Sequence, residues 1–325
     1  MDKTKTVAGI GKCLREHHGP DVVVFFVFLF SGLMLNIGLI RSGFSDVKGT
    51  LIALGAIFLI APLAAALFSL TLLDPGICIG FFIVAVMPTT LSSGVVMTGA
   101  AGGNMAHALV ITVLANWLAV FTIPVLLSFL LMLKGGTAAV SIDKLPVILK
   151  LAFLVILPLC IGLLIKFYAK SDYIDRLYNK LQNINQSLIL GMVWMALSQT
   201  RNVILGDGKK IGIILLLVFA FHIILLVSVY LLTVLFGLGQ GKRESAIFMG
   251  SQKTLPLSVI LQTTLFPQYG LALAVCVLHH IVQLIVDGYI MGKIKNRLQF
   301  PVPQEPIQIK SPGLSKNIRP DRLRH

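Results

Sequence analysis

Long apolar runs alternate with short polar stretches along most of the chain. Nine runs reach about 20 residues, the length that an α-helix needs to cross the hydrocarbon core of a bilayer. They span 21–40, 49–73, 76–100, 105–133, 146–166, 184–200, 211–236, 245–266 and 269–292. The run at 184–200 is the most polar, and a helix of that composition must face protein or an aqueous cavity. The pattern predicts an all-α polytopic membrane protein with nine transmembrane helices.

The runs fall into two halves joined by a short connection. We expect a polar, basic segment at 1–20, a first transmembrane repeat at 21–133, a linker at 134–145, a second transmembrane repeat at 146–297 and a basic, disordered tail at 298–325. Disorder is expected in the tail because its prolines and charges leave little apolar surface to bury.

The composition agrees with a membrane protein. Of the 325 residues, 56% are hydrophobic and only 12% are charged, about half of the charged fraction of a soluble domain. So few charges cannot solvate the surface of a water-soluble fold. The composition therefore excludes soluble enzymes, disulfide-stapled secreted domains and disordered chains, and it makes the lipid bilayer a partner.

The net charge of +14 sets the predicted orientation. Basic residues lie between and after the apolar runs, where they orient helices against anionic headgroups, so no nucleic-acid partner is expected. One set of connections, which includes the tail, carries sixteen Lys and Arg, and the other carries nine. The richer side and the C-terminus are predicted to be cytoplasmic, or stromal in a plastid. The membrane is expected to be the chloroplast envelope in a plant, and otherwise the plasma membrane or an internal membrane.

Two of the runs are interrupted near their middle by similar small and polar residues. The first interruption lies at 87–94 and the second at 250–256, and an offset of 164 residues aligns Thr90-Leu91 with Thr254-Leu255. Paired interruptions in two halves are typical of inverted-repeat transporters. Interrupted helices expose backbone N–H groups to anions and carbonyl groups to cations. The alternative is that these residues only allow close helix packing.

The interruptions and the adjacent fourth run predict a substrate or ion site. Its candidate residues are Ser92, Ser93, Thr98, Thr112, Asn116, Ser251, Gln252, Lys253 and Thr254. Lys253 is the most unusual, because a lysine inside an apolar run costs about 3 kcal/mol on insertion scales unless it faces a cavity or a partner. It could be a counter-charge for an anion, a built-in cation that replaces a coupling ion, or a proton carrier. The alternative is a snorkelling or structurally paired lysine.

The last apolar run carries a second polar group. This group predicts a proton or substrate path and consists of His279, His280, Gln283 and Asp287. The alternative is equally common, because a histidine in a membrane helix often only forms a hydrogen bond to a neighbouring helix. Asp287 is expected either to pair with Lys253 or to lie near the membrane interface. These residues show no metal-ligand spacing and no catalytic pair of acids, so neither a metal site nor an enzyme is predicted. Elsewhere, His107 is expected at the interface.

The motifs at 87–94, at Gly102-Gly103-Asn104 and at 250–256 resemble the bile acid:sodium symporter superfamily, especially its SBF-like subgroup with the plant chloroplast sodium/metabolite cotransporters of type four. The resemblance covers roughly 21–297. It implies ten helices in two inverted repeats, with the fourth and ninth helices broken and crossing, and a panel of helices that rocks against a core. The run at 76–100 would be the fourth helix, so the first helix of the family is expected to be missing here.

The resemblance also implies a small organic anion as substrate and Na⁺ as the coupling ion. Ser93, Thr112 and Gln252 match positions that bind sodium in the family. Gly94 stands at an Asn position and Phe248 at the position of a shared Glu. With a carboxylate lost and the ammonium of Lys253 gained, these departures argue against two-sodium coupling.

The predicted function is a secondary transporter that moves a small organic anion or metabolite by alternating access, with sodium or proton coupling. The alternative is a non-transporting membrane protein that regulates ion homeostasis through a partner. The sequence does not indicate an oligomeric state or any cofactor other than a coupling ion.

Overall fold

The computed structural model describes residues 18–35, 42–44, 46–72, 74–135, 143–169, 171–206 and 208–298. Within this part of the chain the secondary structure is helical. The helices are α1 Gly19–Met34, α2 Val47–Thr71, α3 Pro75–Val86, α4 Ser93–Ala100, α5 Met105–Leu133, α6 Lys144–Tyr168, α7 Ser171–Gly206, α8 Gly208–Leu235, α9 Lys242–Ser251, α10 Leu255–Leu265 and α11 Gly270–Leu298. The predicted N-terminal segment up to residue 17, residues 36–40, most of the linker and the tail from residue 299 lie outside the described residues.

Among the described residues, five helices are long and apolar enough to cross a membrane: α2, α5, α6, α8 and α11. The protein is therefore an all-α membrane protein. Helix α7 is much longer than the run predicted at 184–200 and falls outside this group because polar residues recur along it.

Side-chain caps begin several of the helices. Asp46, Asp74, Asn104 and Asp143 accept hydrogen bonds from backbone N–H groups in the first turns of α2, α3, α5 and α6. Each cap satisfies donors that the helix itself cannot pair. These four helix starts are therefore encoded locally.

One layer of the fold consists of α1, α6 and α7, which contact one another. Helices α1 and α6 approach so closely that a Cβ atom on Gly32 would collide with the Leu159 carbonyl oxygen, and one on Gly162 with the Leu29 carbonyl oxygen. Paired small residues allow this backbone contact. The contact holds α1 and α6 together as one unit.

The remaining helices form a second body around α3, which is buried from Gly76 to Val86. Helix α3 packs on α2, α5, α10 and α11, and α8 covers α9 and α11. The starts of α2, α5 and α9 meet at one end of this body, where the Asn104 N–H donates to the Gly241 carbonyl at 2.8 Å. His107 is fully buried at this end between Thr50 and Ser245.

Candidate functional site

Both predicted interruptions are breaks between helices. The first break, 87–92, separates α3 from α4, and the second, 252–254, separates α9 from α10. Pro88 keeps the preceding residue extended, and Pro256 lies in the first turn of α10, where a missing N–H costs no hydrogen bond. The two breaks touch directly, because the Thr254 N–H donates to the Pro88 carbonyl oxygen at 3.0 Å.

Lys253 extends from the second break into a cage of backbone carbonyls. Its Nζ donates to the carbonyl oxygens of Ile57, Ala85 and Met87 at 3.1, 2.9 and 3.0 Å. Two of these carbonyls belong to the C-terminal end of α3, which lacks partners and carries the negative end of the helix dipole. Ile57 lies in a π-helical turn of α2. The ammonium thus occupies a buried site that suits a cation.

The backbone of Lys253 is held as firmly as its side chain. Its N–H donates to Gln283 Oε1 at 3.0 Å, and its carbonyl accepts from Gln283 Nε2 at 2.9 Å. The amide of Gln283 therefore replaces the peptide partner that the break removes. The same amide lies 3.0 Å from His280 Nδ1.

Asp287 does not pair with Lys253. Its carboxylate is fully buried, and its partners are His222 Nε2 on α8 at 2.9 Å and Gln252 Nε2 at 2.7 Å. Lys253 donates to carbonyls instead. The sequence argument missed His222, although a histidine inside the apolar run at 211–236 was a visible signal.

Gln252 connects this acid to the first break. Its Oε1 accepts from the hydroxyl groups of Thr90 at 2.6 Å and Ser93 at 3.3 Å. Ser93 also lies 3.0 Å from Thr90 Oγ1, which accepts the Gly94 N–H at 2.9 Å. The structure thus brings Ser93 and Gln252 together, as expected, and adds Thr90 between them.

Other predicted site residues serve the helices that carry them. The hydroxyl groups of Thr112 and Ser251 donate to carbonyls one turn earlier in α5 and α9. Thr98 differs: it is buried at the far end of α4, where its carbonyl accepts the Gly103 N–H, and its hydroxyl group has no hydrogen-bond partner among the described residues.

Asn116 supports the first break more loosely. Its Nδ2 donates to the carbonyls of Thr112 at 2.9 Å and Thr89 at 3.4 Å. Its Oδ1 and the Thr89 hydroxyl are buried without a hydrogen-bond partner among the described residues. Unpaired buried oxygens are the kind of ligand that a small hard cation takes. The described residues contain no group of three or more His, Cys, Asp or Glu side chains that could hold a metal ion.

A cavity of about 400 Å³ lies between the two breaks, α11, and the helices α1 and α7. Val27, Phe28, Leu190 and Val193 contribute to its largely apolar wall. Its polar wall consists of Thr90, Ser92, Ser93, Asn185, Gln186, Thr254 and His280. The volume falls in the range of small-molecule sites, and the mixed wall suits an amphipathic ligand.

Asn185 and Gln186 were not predicted as site residues, although their polarity within an apolar run was evident. Asn185 Nδ2 lies 3.4 Å from Ser31 Oγ on α1, so it ties α7 to α1 beside the cavity. His279 lies away from the cavity wall, with its ring centroid 5.7 Å from those of both Phe221 and His222.

Comparisons with known proteins agree with this architecture. Residues 4–296 match the SBF-like CPA transporter family. The chain is 32% identical to the probable sodium/metabolite cotransporter BASS4, chloroplastic, of Arabidopsis thaliana over 86% of this chain and 67% of that protein. It is 26% identical to mouse sodium/bile acid cotransporter 7 over 85% of this chain and 84% of that protein. It is 23% identical to the putative symporter YfeH of Escherichia coli, with the same two coverages.

The family and these relatives are transporters, not enzymes. The match covers the whole described part of the chain except its last residues, including both broken helices and the cavity between them. The chain belongs to the SBF-like CPA transporter family.

Proposed function

We propose that the protein is a secondary transporter that moves a small organic anion across its membrane by alternating access. The observation that carries this proposal is the cavity of about 400 Å³ between two crossing helix breaks and a separate layer of helices. Breaks at mid-membrane depth are tolerated where they are buried or line a cavity. Here they do both, and they place hydroxyl groups on the cavity wall.

The cavity favours an amphipathic anion. Its apolar wall would hold a hydrocarbon body, and the hydroxyl groups of Ser92, Ser93 and Thr254 would hold a carboxylate or sulfonate. The names of relatives point the same way, since they are called metabolite and bile acid cotransporters. Lys253 supplies positive charge from behind the first break without touching the cavity.

The ammonium of Lys253 takes the role of a resident cation. An ammonium group has three donors, and three carbonyl oxygens accept them. A neutral amine would leave one carbonyl without a donor. The saturated cage therefore favours the charged form, which balances the ionised Asp287 and attracts an anion.

Alternating access would use the division between the two bodies. The α1–α6–α7 layer faces the broken helices across the cavity and packs on the second body through α6 on α5, α7 on α11 and α1 on α10, while glycine packing holds α1 on α6. We infer nine transmembrane helices in two inverted repeats, with α3–α4 and α9–α10 as the equivalent broken helices. Rocking of the layer would expose the cavity to each side in turn.

Uptake into proteoliposomes tests the transport function. The full chain is reconstituted, and uptake of labelled octanoate and taurocholate is measured with a sodium gradient, a proton gradient or neither. The sodium gradient is tested first because relatives are named sodium cotransporters. We expect concentrative uptake of at least one probe with at least one gradient.

Variants then test the site. Lys253→Ala should abolish uptake, while Lys150→Ala, which removes a partly exposed lysine paired with Asp21 at 3.3 Å, should leave it unchanged. Wild-type uptake in Lys253→Ala would refute the site. Absence of uptake of both probes by the wild-type protein would instead favour the regulatory alternative.

A further inference from the structure

A buried acid linked to the cavity by one amide is the basis for a further inference, which rests on the transport function proposed above. Asp287 is fully buried and receives hydrogen bonds from His222 and Gln252. A buried ionisable group in a membrane protein marks an ion path unless it is fully neutralised by a partner. His222 has a second ring nitrogen, Nδ1, that is buried without a partner among the described residues.

The charged and titratable groups around Asp287 determine the net charge at this site. His222 faces it from α8, His279 and His280 lie on its own helix, and Lys253 lies next to Gln252. The described stretches of α3, α4 and α10 against α11 carry no acidic or basic side chain, and α7 brings the neutral Asn185 and Gln186 to the cavity. Asp287 is therefore the one acid that can offset the ammonium of Lys253 among the described groups at this site.

The protonation state of Asp287 sets the direction of the hydrogen bonds around it. A carboxylate only accepts hydrogen bonds, so Gln252 must turn its Nε2 toward Asp287 and its Oε1 toward the first break. That Oε1 then accepts the hydrogens of Thr90 and Ser93. Neither hydroxyl group then has a hydrogen free for the cavity, which disfavours an anion there.

We propose that Asp287 binds the proton that accompanies the anion, and that Gln252 transmits this binding to the cavity. A protonated carboxyl donates a hydrogen bond, so Gln252 can rotate and offer Oε1 to Asp287 and Nε2 to Thr90 and Ser93. The two hydroxyl groups are then acceptors from the amide and free to donate to a carboxylate. One proton is taken up from the aqueous phase with each anion, and both leave together when the cavity opens to the other side.

The charges at the site also favour the binding of one proton with each anion. With Asp287 ionised and the cavity empty, the charges of Asp287 and Lys253 cancel. With Asp287 protonated and a monovalent anion bound, the charges of the anion and Lys253 cancel. Either singly loaded state leaves a net charge in a region of low dielectric, which is costly. The doubly loaded and empty states are therefore favoured, as symport requires.

Infrared spectroscopy tests the proton site without an unknown substrate. The purified full chain is titrated across the neutral and acidic range, and the carbonyl band of a buried protonated carboxylic acid is followed. We expect this band in the wild-type protein, its loss in Asp287→Asn and its retention in the control Asp21→Asn, which removes a partly exposed acid on α1. If Asp287→Asn prevents folding, Asp287→Glu should shift the titration of the band instead.

Binding of octanoate tests whether Gln252 transmits the protonation of Asp287 to the cavity. Because one proton is linked to binding, the affinity of the wild-type protein should fall by up to about tenfold per pH unit as the acid ionises. Asp287→Asn should bind with the high affinity of the acidic form at every pH. Gln252→Met should keep the infrared band and weaken the pH dependence of binding, because only the charge coupling between Asp287 and the anion remains.

Two results would overturn the inference. One is a carboxylic acid band that persists in Asp287→Asn, and the other is a wild-type pH dependence of octanoate affinity in that variant. Failure of the proposed transport function would give a result distinct from these two. The wild-type protein would then take up neither octanoate nor taurocholate, while the infrared band would still decide whether Asp287 binds a proton.

Discussion

The two helix breaks occupy corresponding positions in the two halves of the chain but perform different tasks. The first break has six residues, 87–92, and contributes hydroxyl groups to the cavity. The second has three, 252–254, and sends an amide and an ammonium group inward. The ammonium of Lys253 satisfies carbonyls that the first break leaves unpaired. The comparison shows that the first break provides more of the hydroxyl groups on the cavity wall, whereas the second adds Thr254 and stabilises the first.

The support behind each break differs as well. The second break is held by Gln283, which pairs with both the N–H and the carbonyl of Lys253. Besides its contacts with the second break, the first break has only one long contact from α5, in which Asn116 Nδ2 donates to the Thr89 carbonyl, and Asn116 Oδ1 has no partner among the described residues. A tightly paired break resists movement, whereas a loosely paired one can adjust to a ligand. We therefore expect the second break to matter more for stability than the first.

Replacing Lys253 should have the largest effect. Lys253→Met keeps the side-chain volume but leaves three buried carbonyls without donors, and loss of a buried charged partner typically costs about 3–5 kcal/mol. Thermal unfolding of the purified protein should show this loss. The control Lys150→Met, at a partly exposed ion pair, should change the free energy of unfolding by less than about 1 kcal/mol.

A substitution of Lys253 by a smaller side chain tests whether its ammonium group takes the place of a bound cation. Lys253→Ala vacates the carbonyl cage, so added Na⁺ should raise the melting temperature of this variant more than that of Lys253→Met. Equal responses of the two variants to Na⁺, or a melting temperature of Lys253→Met equal to that of the wild-type protein, would contradict the assignment.

Removing the support of each break should give an intermediate effect. Gln283→Leu leaves the N–H and the carbonyl of Lys253 unpaired, at about 1–3 kcal/mol each. Asn116→Leu loses one weak contact to the break and also removes an unpaired oxygen, so its net cost should be within about 1 kcal/mol. Denaturation of both variants in the same detergent measures the difference. A larger loss in Asn116→Leu would reverse the assigned roles of the breaks.

A smaller effect than that of Gln283→Leu should come from the junction of the two breaks. A Cβ atom on Gly94 would lie 2.8 Å from Met249 Sδ and 2.9 Å from Gln252 Oε1, so Gly94→Ala must displace both. Overpacking of this kind costs about 1–3 kcal/mol, partly offset by the better helix propensity of alanine. Octanoate affinity should fall because Gln252 moves away from Thr90.

Gly191→Ala on α7 is the matched control for this change. Its Cβ atom would have no neighbour within 4 Å, so only the gain in helix propensity applies and stability should rise slightly. Equal stability and equal octanoate affinity of the two variants would show that the contact between Gly94 and Gln252 is unimportant.

The apolar pattern was sufficient to predict the helical class and the position of both breaks. Length and hydropathy determine whether a segment crosses a bilayer, and prolines with clustered hydroxyl residues mark where a helix cannot continue. The same reasoning marked Lys253, Gln252 and Asp287, because a polar group in lipid always needs a partner. These conclusions need only the sequence, since each depends on residues that are neighbours along the chain.

The identity of those partners was decided by the tertiary structure. Lys253 donates to Ile57, which is 196 residues away, and Asp287 pairs with His222, which is 65 residues away. Hydropathy describes how much a residue resists lipid but not which distant atom faces it. The pairing arises only when α2, α3, α8 and α11 pack around the crossing breaks. For this reason the sequence identified the unusual charges, and the fold determined that carbonyls, an amide and a histidine satisfy them.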